Sequence, residues 1–266
     1  MSPGPSIFDG VADIYDRVRP RYPPELFDDL ISLARLPEHG SILEIGCGTG
    51  QATTGLAGRG YRILCLEPGP RLAALARRNL AADPHVSVVE THFESWAGEL
   101  GAFDLIMAAR AMHWIAPEVR FTKPARLLRT GGALAIITTC PVTPVTPVMR
   151  EIQAAYTRHA PGLTLRADAA DRELLAEFAA AGLFRLLPSQ EYRWSRRFLE
   201  SEYLDLLRTH SSHIALQPPD RSALLRDIGA AIGAHGGRLD VAYIERLTVG
   251  RLDRRDGTAT HRRAST

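Results

Sequence analysis

The run Ile42-Leu43-Glu44-Ile45 leads directly into Gly46-Cys47-Gly48-Thr49-Gly50, three glycines at a spacing of two. A short apolar run bounded by glycines reads as a buried parallel strand entering a turn with almost no side chains. Such glycines permit left-handed backbone and let a ligand lie directly against the main chain. Gln51 to Ala57 follows as an expected helix start, whose free N–H groups favour a carboxylate or phosphate. The dinucleotide fingerprint Gly-x-Gly-x-x-Gly is excluded, because Gln51 and Thr53 occupy the positions where its third glycine belongs. A phosphate-binding loop ending in Gly-Lys-Ser/Thr is excluded as well, since the chain's single lysine is Lys123. What remains is acidic-x-Gly-x-Gly-x-Gly. The next strand, Tyr61 to Leu66, ends in Glu67, a carboxylate placed to accept from both hydroxyls of a ribose.

Strands and helices alternate from there. The pattern predicts strands over 61–66, 86–90, 103–108 and 133–139. Helices are expected over 24–35, 70–82 and 116–128, the last bent or broken at Pro124. This β-α-β alternation implies an α/β fold, a mainly parallel sheet with helices on both faces. At Pro141 the pattern changes. A proline at every third residue, Pro141, Pro144 and Pro147, requires extended chain. Helices over 148–159 and 168–181, a strand over 184–194, helices over 199–211 and 219–234, and a last strand over 241–249 complete the reading. Residues 1–250 are expected to form one domain. Residues 251–266, with Arg251, Arg254, Arg255, Arg262 and Arg263 interrupted by aspartates, read as a solvated, disordered tail.

A net charge of +2, with arginines spread along the chain, offers no stripe for a nucleic acid. No stretch approaches 18 uninterrupted apolar residues, so no membrane span is expected. The N-terminus lacks a signal-like segment, and a cytoplasmic location is expected. Cys47, Cys65 and Cys140 are isolated and read as small buried hydrophobes. His210 and His213 sit at i, i+3 with no third ligand at a recognisable spacing, so no metal site is expected.

Residues 42–57, Leu66-Glu67-Pro68, Phe103-Asp104-Leu105-Ile106 and Arg129-Thr130-Gly131-Gly132 together resemble the class I S-adenosylmethionine-dependent methyltransferases. Tyr15 to Pro23 and the pair His113-Trp114 resemble a small-molecule branch of that family. The resemblance implies a Rossmann-like sheet of about seven strands, an antiparallel C-terminal edge hairpin, and lid helices at about 8–35, 148–181 and 199–234. It also implies S-adenosylmethionine as cofactor, S-adenosylhomocysteine as product and a small organic acceptor. Gly46, Gly48, Gly50, Glu67, Phe93 and Ala109 are the expected cofactor contacts on the sheet side. Tyr15 and Arg19 are expected to fold over the cofactor, with Arg19 pairing its methionyl carboxylate. Relatives carry an acidic residue where this chain has His92. His113 is the candidate base or acceptor-positioning group. An enzyme that uses the bound cofactor without transferring methyl, or a protein that senses it, would share these features.

Overall fold

The computed structural model describes residues 5–142, 144–163 and 168–252. Eight strands form one sheet: β1 (Ser41–Ile45), β2 (Arg62–Glu67), β3 (Val86–Glu90), β4 (Phe103–Ala109), β5 (Leu128–Val142), β6 (Phe184–Leu186), β7 (Gln190–Leu199) and β8 (Arg238–Leu252). The order is β3-β2-β1-β4-β5-β8-β6, with β7 also on β8. Strands β1 to β5 run parallel, and β8 is antiparallel to β5, β6 and β7. The chain's direction of travel across the sheet reverses between β1 and β4, which opens a crevice at the carboxyl ends of those strands.

The period of two in the strands builds a core on each face. Ile42, Ile63, Cys65, Leu105, Met107 and Ile137 face one way, against the helix Pro24–Ala34. Leu43, Ile45, Leu66, Ile106, Leu134 and Ile136 face the other, against Phe93, Phe121 and Phe178. A third core lies outside the sheet's two faces. Ile152, Tyr156, Phe198, Leu206, Leu224 and Ile228 join Tyr243 there. They come from the helices Pro147–His159, Glu200–Arg208 and Pro218–Ala234 together with β7 and β8. This helical cap stands over the sheet.

Three local expectations change. The segment after the glycine loop forms only a 3-10 turn, Thr53–Gly55, instead of an α-helix. A Cβ at Gly55 would lie 2.1 Å from the Phe27 ring, so that close packing fixes the turn. The expected 184–194 strand is two strands, separated where Pro188 has no N–H to donate, and both pair with β8. The 116–128 helix divides at Phe121 into Pro117–Arg120 and Thr122–Leu127, and Pro124 is accommodated in the first turn of the second piece. Arg251 belongs to β8, and the rest of the expected tail, from 253 onward, lies outside the described residues. Among the described residues no helix is long and apolar enough to cross a membrane.

Candidate functional site

Two cavities lie side by side at the carboxyl ends of β1 and β4. The first, of about 430 Å³, is lined by Gly46 and Gly48, by Glu67 and Pro68 at the tip of β2, by the loop Thr91–Ser95, and by Ala109. The second, of about 420 Å³, lies under the helical cap and is lined by Arg19, His113, Tyr156, His210, His213 and Tyr243, among others. Phe8, Tyr15, Arg110, Ala111 and Trp114 border both.

The first cavity is shaped mainly by backbone. Gly46 has φ +66°, and a Cβ there would lie 2.7 Å from the Ala111 Cβ, so only glycine fits. Its N–H, and that of Cys47, donate to the Leu66 carbonyl at 2.8 and 3.2 Å, tying the loop to β2. Gly48 and Gly50 also have positive φ. The carboxylate of Glu67 accepts from the Gly48 N–H at 2.8 Å and the Gly69 N–H at 2.9 Å. Each oxygen keeps a lone pair for a further donor. Burial raises the Glu67 pKa to about 7, against the lowering effect of the Gly69 and Gly48 N–H groups. Glu44, the acidic residue of the glycine motif, faces away from the cavity. It accepts from the Thr53 hydroxyl at 2.6 Å and holds the turn from beneath, with its own pKa raised by burial to about 7.

The third loop, at 91–96, hangs on the chain's single lysine. Lys123 Nζ donates to the carbonyls of Phe93 (2.5 Å), Glu94 (3.1 Å) and Trp96 (2.6 Å) and lies 4.8 Å from the centre of the Phe93 ring. Phe93 borders the first cavity but is itself buried in the core. His92, at the position where members of the resembled family carry an acid, lies in the same wall, and the Glu94 carboxylate accepts from the Ala116 N–H.

The N-terminal segment closes both cavities from above. Asp9 accepts from the N–H groups of Arg71 and Leu72, which caps the helix Pro70–Asn79. Asp13 pairs with Arg71, and Asp16 with Arg78 and Asn79. These three aspartates dock Tyr15 beside Gly48, whose missing Cβ would lie 3.6 Å from the Tyr15 ring.

Arg19 lines the second cavity and not the first. Its guanidinium donates to the Thr209 hydroxyl at 2.9 Å and carbonyl at 2.5 Å, and it lies 4.7 Å from the centre of the Tyr15 ring. Arg110, overlooked in the sequence, stands between the cavities. Its φ of +56° is strained by about 1–2 kcal/mol for a residue with a Cβ. An N–H bond to the Ile137 carbonyl at 2.9 Å and a guanidinium bond to the Tyr22 hydroxyl at 2.7 Å hold it there.

His113 lines the second cavity and remains accessible to solvent. Enclosure by the wall, and secondarily the Arg120 guanidinium, lower its pKa to about 4. The accessible surface tempers that enclosure, and the direction, towards a neutral imidazole at pH 7, is what bears on chemistry. Arg120 donates twice to the Ile115 carbonyl and pairs with Glu177, bracing the loop. His210 stands just before the four-residue helix Ser211–Ile214, and its ring lies 5.5 Å from that of His213, edge to face. The Tyr156 hydroxyl and His213 Nε2 are 2.7 Å apart, and burial followed by Arg19 lowers the His213 pKa to about 4, so the tyrosine donates.

Residues 42–132 match the family model described as a methyltransferase domain. An uncharacterized methyltransferase from Mycobacterium tuberculosis is 32% identical over 130 residues, which is 49% of this chain and 51% of that protein. The chain thus spans about half the length of the curated relatives it matches. A solved structure from Anaeromyxobacter dehalogenans, provisionally assigned as a type II methyltransferase, superposes with a TM-score of 0.65 at 25% identity. That match covers 89% of this chain and 99% of that one. The [4+2]-cyclase SpnF shares the fold at a TM-score of 0.59 and 16% identity, over 95% and 98% of the two chains. Sheet order, glycine loop and crevice together give the Rossmann-like fold that these solved structures share. The match over residues 42–132 and the shared fold make this chain similar to proteins that carry a methyltransferase domain.

Proposed function

We propose that the protein binds S-adenosylmethionine in the first cavity and transfers its methyl group to a small organic acceptor held in the second. The observation that carries this reading is the pair of adjoining cavities, one walled by glycine backbone and a buried carboxylate, the other by side chains of the cap. In this reading Glu67 accepts from the ribose hydroxyls. Gly46 and Gly48 let the methionyl portion lie against the backbone, whereas Gly50, also expected there, lies outside the cavity wall with its missing Cβ directed at Leu80. Phe93 and Ala109 flank the adenine, and Tyr15 closes the site near the sulfonium.

Methyl transfer from a sulfonium asks mainly for alignment and exclusion of water, and alignment alone is worth up to roughly 7–11 kcal/mol. The border formed by Phe8, Tyr15 and Trp114, whose rings meet edge to face, supplies a dry passage between donor and acceptor. His113 lies on the acceptor side, where a neutral imidazole accepts a proton or a hydrogen bond from the acceptor. Titration with S-adenosylhomocysteine by calorimetry tests the cofactor half, with NAD as the comparison. Release of S-adenosylhomocysteine together with an acceptor heavier by one methyl tests the transfer. Binding without that mass change would move the protein to a non-methylating role on the same scaffold.

A further inference from the structure

The second cavity holds more cationic hydrogen-bond capacity than the protein uses. Arg19 and Arg110 both border it. A guanidinium has five N–H donors. Arg19 commits two, to the hydroxyl and carbonyl of Thr209. Arg110 commits two, to the Tyr22 hydroxyl and the Pro20 carbonyl. Three remain on each. All four accepting atoms are neutral, and among the described residues neither arginine pairs with a carboxylate.

The carboxylates in the neighbourhood are otherwise engaged. Asp240 is bonded through both oxygens to Arg197. Glu245 is buried and accepts from the Thr139 hydroxyl at 2.5 Å; burial raises its pKa against the lowering effect of the nearby Arg110 guanidinium, so Glu245 offsets part of the Arg110 charge and leaves Arg19 the less compensated of the two. Asp171, on the helix Asp168–Ala180, lies close enough to Glu245 to raise its pKa further. Burial lowers the pKa of Arg19, and Arg110 acts in the same direction. Burial and the same two arginines hold His210 well below the ordinary histidine range, so it adds no charge of its own. Arg19, enclosed and without a paired carboxylate among the described residues, is costly to keep charged, and an anion entering the cavity relieves that cost while gaining charge-assisted bonds.

Met112, Ile137, Met149, Leu174, Leu206 and Val241 give the wall a broad apolar part, beside a polar part that includes His113, Tyr156, Asp171 and Asp240. We infer that the acceptor is an amphipathic organic acid, with an apolar body against the cap and a carboxylate seated on Arg19 beside Arg110. This inference rests on the methyl-transfer reading and names the class of acceptor for that same site. It also departs from the expectation that Arg19 serves the methionyl carboxylate, because Arg19 borders the cap cavity alone.

The test uses the full chain loaded with S-adenosylhomocysteine. Two probe acids, 2-naphthoate and decanoate, are compared with their neutral amides by calorimetry. At least one acid is expected to bind about tenfold or more tightly than its amide, the scale of bonds to a charged group. Arg19→Gln should abolish that preference, Arg19→Lys should restore part of it, and affinity for S-adenosylhomocysteine should stay within about twofold in both. Equal binding of acids and amides, or no binding of either acid, overturns the inference. So does a variant in which Arg19→Gln weakens S-adenosylhomocysteine about tenfold and leaves the acid preference intact, for then Arg19 holds the cofactor. If S-adenosylhomocysteine itself fails to bind the native protein, the methyl-transfer reading falls. The acid preference then remains measurable on the unloaded chain.

Discussion

The two cavities are built by different means. The first takes its shape from strand ends and from glycines whose backbone angles and close contacts admit no side chain. The second takes its shape from side chains of the cap, carried by segments that lie far apart in sequence and enclose their own core. Backbone geometry fixed by a short motif survives wide divergence of the surrounding sequence, whereas a wall of side chains changes with each substitution. The sheet side is therefore suited to an invariant cofactor and the cap to an acceptor that differs between relatives. The 42–132 span of the family match ends before the cap begins, in keeping with that division.

The sharpest way to separate the halves is to damage the core of one. Phe198 is fully buried in the cap, edge to face with Tyr203 at 5.9 Å and beneath Arg196. Phe198→Ala should cost about 3–5 kcal/mol of stability, the range for a large aromatic lost from a packed core. Thermal unfolding gives the cost. At a temperature where the variant is folded, S-adenosylhomocysteine should bind within about twofold of the native protein while acceptor-side probes bind weakly or not at all. Equal losses on both sides would mean that cap and sheet form one cooperative unit, and the comparison would break.

Glu67→Ala attacks the other half. The loss of affinity for S-adenosylhomocysteine should be about 1.5–3 kcal/mol, the range for hydrogen bonds to a charged group. The strand-tip position alone suggests that folding would be indifferent, but the carboxylate is buried and serves two N–H groups. Removing it strands those donors, so stability should also fall, by about 1–3 kcal/mol. Acid titration adds a signed test. With the Glu67 pKa raised by burial to about 7, the folded free protein keeps a proton there that an unfolded chain has released. This group's contribution to stability is therefore full below the ordinary carboxylate range and is lost as pH rises to about 7. Ribose hydroxyls donate and so favour the ionised form. Affinity for S-adenosylhomocysteine should climb by up to about tenfold per pH unit below 7 and level off above it. Glu67→Gln should flatten the climb. An unchanged slope in that variant would assign the titration elsewhere.

His113→Ala probes the border on the acceptor side. An imidazole held neutral below the ordinary histidine range is a weaker general base at pH 7, so positioning through one neutral hydrogen bond is the expected role. Loss of such a bond, about 0.5–1.5 kcal/mol, should lower turnover a few-fold to about tenfold, with cofactor affinity unchanged. The native rate should show no ionisation from this group between pH 6 and 8. A fall of about 10²-fold or more, or a rate that rises through pH 6.5, would make His113 the base after all.

The glycine loop, Glu67 at the tip of β2 and the parallel strands were all legible in the sequence, because each depends on local pattern: period two, glycine spacing and strand ends. Arg110 was not, since no local signal says that an arginine will adopt φ +56° and turn between two cavities. The same holds for Asp9, Asp13 and Asp16, whose partners on the helix Pro70–Asn79 lie about 60 residues away. The expected 199–211 helix stops at Arg208 because the chain turns at Thr209, whose hydroxyl and N–H both bond back to the Leu206 carbonyl.

Lys123 is the residue whose signal was present and passed over, for it is the only lysine among 32 basic residues. Three ammonium hydrogens meet three carbonyls of one loop, an arrangement that a planar guanidinium would not reproduce. Lys123→Met keeps most of the aliphatic stem and removes all three bonds. Much of the loop is open to water, which replaces part of the loss, so stability should fall by only about 0.5–1.5 kcal/mol. The effect on ligands should be lopsided. The loop borders the first cavity alone, so S-adenosylhomocysteine should weaken by up to about threefold while acceptor-side binding stays as it was. Lys123→Arg should rescue stability only in part, which separates the geometry of the bonds from the charge. If both variants leave S-adenosylhomocysteine binding untouched, the 91–96 loop contributes wall without contact, and the first cavity is held by the glycine loop and Glu67 alone. If Lys123→Met instead weakens binding as much as Glu67→Ala does, a side chain outside the motif carries as much of the site as the motif does. The contrast between a backbone-built and a side-chain-built cavity would then be one of degree.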